Sequence, residues 1–101
     1  MATLVITYRI DSSLDYGARY ASLVEQIRKC ERHWEETTSF ALVSTPETAS
    51  QLADRLYFKS KIDTSRDTFM VINLSTGDAV IRGPVLYPHT LKGMLPKLVQ
   101  K

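Results

Sequence analysis

The chain has one cysteine, Cys30, which excludes an internal disulfide and any cysteine-based zinc site within one copy. A reducing compartment is the expected setting. The four glycines stand apart at positions 17, 77, 83 and 93, so no glycine-rich loop can cradle a phosphate, and no G-x-S-x-G elbow presents a serine nucleophile. Only two histidines occur, His33 and His89, and neither has a second ligand at helical or hairpin spacing. Both read as surface or structural groups. No apolar run approaches the ~20 residues of a membrane-spanning helix. The opening MATLVITYRIDSS also lacks the apolar length and small-residue cleavage pattern of an export signal. A cytoplasmic protein without a membrane partner is expected.

What is present is an ordinary globular composition, 44% hydrophobic and 24% charged, in 101 residues. One domain of that length buries roughly 65% of its unfolded surface and needs no covalent staple. Net charge is only +2, but it is unevenly placed. Residues 1–58 carry six Lys and Arg against eight Asp and Glu, whereas 59–101 carry seven against three. The basic second half would favour an anionic partner if its cations share a face.

Along the chain, TLVITYRI reads as a strand buried on both faces, followed by turn residues Asp11, Ser12 and Ser13. From Tyr16 the spacing becomes helical. Tyr16, Tyr20, Leu23, Ile27 and Cys30 form one stripe, with Arg19, Glu25, Gln26 and Lys29 outside. WEETTSFALV predicts one extended strand whose inner face is Thr38, Phe40 and Leu42, with Glu35 and Glu36 marking an edge. Thr45, Pro46 and Glu47 then predict a helix start, Ala49, Leu52, Ala53 and Leu56 its buried stripe, and Lys59 and Lys61 its C-terminal cations. TFMVINLS reads as a central strand, joined through Thr76-Gly77-Asp78 to AVIRG, which Gly83 and Pro84 stop. In the tail, Leu91, Met94 or Leu95, and Leu98 are helically spaced but interrupted by Gly93 and Pro96.

The expected fold is an α+β, ferredoxin-like βαββαβ domain over residues 1–84. It would have an antiparallel sheet with two helices on one face, and residues 85–101 as a C-terminal arm or short helix. The tail's apolar residues would pack on this sheet or on a partner.

Three segments carry a resemblance to a known family: the opening strand ending TYRID; the Tyr20, Leu23, Ile27 stripe followed by HWEETTSFALVST; and DTFMVINLSTGDAVIRG. Over residues 3–83 the chain resembles the SinR-like and VapD-like branch of the CRISPR-associated protein 2 superfamily. The resemblance implies a ferredoxin-like homodimer associated with nucleic acid, metal-dependent nucleases in some branches and a structural subunit of a DNA-integration complex in another. The nuclease branches use an aspartate at the end of the first strand. Here that position is Arg9, and a guanidinium cannot coordinate magnesium.

The site candidates follow from this. Arg9, Arg66 and Arg82 are the expected nucleic-acid contacts, with Lys59, Lys61, Lys92 and Lys97 as further cations. Asp11 is the one weak catalytic candidate, better read as a turn residue. Under the nuclease alternative it would act with magnesium and with Tyr8 or Ser12. Otherwise no metal or other cofactor is expected. Cys30 reads as a small buried hydrophobe, Glu35 and Glu36 as unable to pair, and Trp34 as packing or a base-stacking group. The leading expectation is a non-catalytic homodimeric nucleic-acid-associated binding or scaffold protein. The alternatives are a VapD-like metal-dependent endoribonuclease and a protein–protein interaction module docking through its tail.

Overall fold

A computed structural model describes residues 1–101. In chain order the elements are β1 (Ala2–Arg9), α1 (Tyr16–Ile27), β2 (Arg32–Trp34), β3 (Phe40–Thr45), α2 (Ala49–Lys59), β4 (Thr68–Asn73), β5 (Ala79–Arg82), α3 (Pro88–Met94) and β6 (Leu98–Gln100). The domain is α+β, with three helices and one six-stranded mixed sheet in the order β2-β3-β1-β4-β5-β6. β1 lies between β3 and β4, antiparallel to both, so the two long apolar strands hold the middle as expected. The sheet is not wholly antiparallel, because β6 pairs parallel to β5. A parallel neighbour needs a crossover, and α3 supplies it.

The main core lies between the sheet and α1 and α2. Leu4, Ile6 and Tyr8 of β1, Val43 of β3 and Phe69 and Val71 of β4 meet Leu23 and Ile27 of α1 and Leu52 and Leu56 of α2. A smaller cluster on the opposite face joins Ala79, Ile81 and Leu98, packed against by Val85, Leu91 and Leu95. The tail therefore covers its own sheet. β1 alternates rather than being buried on both faces: Leu4, Ile6 and Tyr8 are buried while Thr3 and Arg9 are exposed.

Four local expectations are corrected. The segment WEETTSFALV is a hairpin, with Glu35 and Glu36 in its connection and Ser39 at φ 56°. Its core face is Ala41, Val43 and Thr45, leaving Phe40 and Leu42 half-buried on the other side. Helix α1 stops at Ile27, since Lys29 and Cys30 donate to the carbonyls of Gln26 and Ile27 in a tightened last turn. Helix α2 is capped by Thr48, not Thr45. Thr48 Oγ1 accepts from the Gln51 N–H at 3.1 Å and Gln51 Oε1 accepts from the Thr48 N–H at 2.9 Å, a reciprocal capping box. Finally, Arg19 is buried rather than solvent-facing. The β4–β5 hairpin matches its expected turn, with Gly77 at φ 78°.

Candidate functional site

Strand register determines which side chains share the face away from α1 and α2. One row runs Trp34, Leu42, Val5, Ile72, Ala79, Leu98 across all six strands. The next runs Phe40, Thr7, Met70, Ile81. Beyond them, Arg32 sits opposite Ser44 at one end of the face, and Arg9 opposite Thr68 at the other. The strap of Pro84–Met94, with β6, covers the β4–β6 half. The β2–β3–β1 half stays open. There Trp34 stands 41% exposed, edge-on to Phe40 with ring centroids 6.5 Å apart.

The three expected arginines lie at the same end of the sheet but do not converge. Arg9 pairs with Thr68 in register, Arg82 with Phe69, and Arg66 precedes Thr68 by two residues. Arg82 points to the helix side, where its guanidinium lies 4.0 Å from the Tyr57 ring centre and pairs with Asp54 at 3.1 Å. Asp54, held by Arg82 and Lys101, has its carboxyl below the usual range. Arg66 pairs with Asp63 at 2.9 Å and donates to Ser13 Oγ at 2.6 Å. Of these three only Arg9 is exposed and outside the ion pairs; Arg32, likewise exposed and unpaired, is the other free guanidinium on this face. Of the four expected lysines, two are engaged by carbonyls: Lys92 Nζ donates to Leu98 O and Lys97 Nζ to Thr76 O, while Lys59 and Lys61 are exposed.

Asp11 is a turn residue. Its carboxylate accepts the Ser13 N–H at 3.2 Å, and hydrogen bonds from Ser13 hold its carboxyl below the ordinary value. Beside it lies a cluster that the sequence reading missed. Asp67, fully buried, accepts Arg19 Nε at 2.9 Å, the Asp11 N–H at 2.8 Å and the Asp63 N–H at 3.0 Å. Arg19 also donates to the carbonyls of Asp11 and Leu14. The pair thus ties the loop after β1 to the loop before β4. Both are satisfied, as buried charges must be. The available signal was spacing: Arg19, Leu23 and Ile27 recur at four, placing Arg19 on the buried stripe.

These residues do not fit a magnesium site. Asp67 is fully occupied by an arginine and two amides, and Asp11 is committed to its turn. Tyr8 is buried against Tyr20, centroids 6.0 Å apart, and burial, then the hydrogen bond with Tyr20, pushes its phenol upward. A nucleophile or base is not available there. His33 Nδ1 lies 3.0 Å from Glu35, which also binds Arg28, in a surface network. Cys30 is buried and accepts from Arg55, which pairs with Glu47. Comparison of the chain with protein-family models, with curated proteins and with solved structures returns no match.

Proposed function

We propose that this chain is a non-catalytic nucleic-acid-associated binding or scaffold module of ferredoxin-like fold, taking a single strand across the open half of its sheet. The order β2-β3-β1-β4 with α1 and α2 on one face supports the fold reading, with β5 and β6 as an extension. The observation that carries the function is the pair of exposed Trp34 and half-buried Phe40 between Arg32 and Arg9. Six residue steps along β1, from Thr3 to Arg9, separate the rows of the two arginines, a run of about 20 Å at strand rise. Bases stack on aromatics with ~1–3 kcal/mol each, largely regardless of sequence, and guanidinium groups hold the phosphates.

Trp34 is the only tryptophan, so its fluorescence reports the site directly. Titration with a single-stranded 12-mer should quench it, more strongly at low salt. Trp34→Ala should weaken binding about tenfold or more in a fluorescent-oligonucleotide assay. Arg9→Ala should reduce the salt slope by about one. A duplex bound as tightly as the single strand, or no quenching at all, would sink the proposal.

A second reading is favoured by the aliphatic middle of this face, Val5 and Leu42, which suits another copy of the chain better than a base. Two open faces closing on each other would form a homodimer and exclude the strand. Sedimentation velocity over a concentration series, with and without oligonucleotide, separates the two readings.

A further inference from the structure

The strap does not seal the half of the sheet that it covers. Between it and β1, β4 and β5 runs a groove of about 470 Å³, within the range of small-molecule sites. Met70 and Ile81 form its floor, and Val85, Leu91 and Met94 its wall. No carboxylate lines it. At the strand end stands Arg9, whose guanidinium has no acid partner. Thr68 beside it is spent, donating to Pro84 O at 2.8 Å.

This is an apolar slot with a single cation at one end. Its complement is an apolar tail with one anionic head. The floor and inner wall are flexible aliphatic and thioether side chains, with the Tyr87 ring only at the exposed rim and the Tyr8 and Phe69 rings in the helix-side core, which fits an alkyl chain better than an aromatic ligand. The strap also leaves Leu86, Tyr87 and Met94 85%, 73% and 75% exposed, and all three border the groove. A chain in the groove would give this surface an apolar neighbour.

We infer that the groove binds an unbranched alkyl carboxylate, its tail along Met70 and Ile81 and its head on Arg9. Each added methylene buried there should raise affinity about fourfold. This groove adjoins the stacking face and shares Arg9 with it, but does not include Trp34 or Phe40.

The chain has three methionines, of which Met70 and Met94 line the groove and Met1 does not. Methyl-labelled methionine spectra of the full chain can therefore be followed during titration with decanoate below its micelle concentration. Decanoate should move the Met70 and Met94 signals and leave Met1 in place. Octanoate should bind about 15-fold more weakly, from two fewer methylenes. Decanol should bind at least tenfold more weakly than decanoate, and Arg9→Gln should remove that difference. Thr90→Trp, at an exposed strap position bordering the groove, should block the Met70 shift. Trp34→Ala should bind decanoate as the parent does, whatever happens to oligonucleotide binding. Shifts in none or all of the methionines, no dependence on chain length, or decanol equal to decanoate would overturn the assignment.

Discussion

Asp67→Ala should lower the unfolding free energy by about 3–5 kcal/mol, the cost of removing one partner from a buried ion pair. Urea unfolding of the parent and variant measures it. For a domain of this size that corresponds to a melting temperature lower by about 12 °C or more. The reasons are local. Arg19 and Asp67 are 3% and 0% exposed, so the orphaned guanidinium would keep its charge with little water to compensate it. The N–H groups of Asp11 and Asp63 would lose their acceptor as well. Arg19→Met with Asp67→Leu removes both charges but still strands those two amides, so it should recover only part of the loss. A change below about 1 kcal/mol in Asp67→Ala would show that water reaches the pair and that the two loops are not fastened there.

Gly83→Ala should be comparably damaging, by about 3 kcal/mol, although it adds one methyl group. Gly83 holds φ 105°, a conformation that residues with a β-carbon rarely adopt. A Cβ there would also sit 2.1 Å from the Asp67 carbonyl oxygen and 2.8 Å from the Thr68 Cα. Those are backbone atoms at the start of β4, and relieving the clash means separating β5 from β4. Gly77→Ala is the control, since Gly77 is also left-handed at φ 78° but has open space around it. It should cost only about 1 kcal/mol. Equal losses in the two variants would mean that dihedral strain alone, and not the close approach, governs position 83.

The order of most elements was legible because their signals are local. Tyr16 at the start of α1, the Leu52, Ala53, Leu56 stripe of α2 and the Thr76-Gly77-Asp78 turn depend on spacing that a short window contains. The β2–β3 hairpin was not legible. Its connection, Glu35 to Ser39, has no glycine or proline, and the left-handed residue is a serine. Joining the two strands also reversed the face assigned to Phe40 and Leu42, because a one-residue change in strand parity exchanges core and open sides.

The site divides in the same way. Arg9 could be placed at the end of the first strand because strand parity extends that far. Arg82 could not be judged, since Asp54 is brought to it by the fold, whereas Asp63 stands only three residues from Arg66 and that pairing was open to a sequence reading. Asp54 lies 28 residues away in sequence from Arg82. Asp67 and Arg19, 48 residues apart, became visible only as a pair. Trp34 was open to packing or stacking, and its place on a three-residue edge strand, which leaves it part exposed beside Phe40, depends on a pairing that the sequence did not reveal.

The division of the apolar core into a large cluster beneath α1 and α2 and a three-residue cluster beneath the strap implies two unfolding units of unequal strength. Helix α3 has no buried residue, and β6 pairs with β5 over only three positions. In native-state hydrogen exchange, amides of α3 and β6 should therefore open well before those of β1, with a free energy below that of global unfolding. Equal protection of β6 and β1 would show the domain unfolding as one unit. The open face would then have a fixed extent. If instead the strap and β6 open first, the protein spends part of its native lifetime with the five-strand row from Trp34 to Ala79 uncovered, without disturbing the helix-side core.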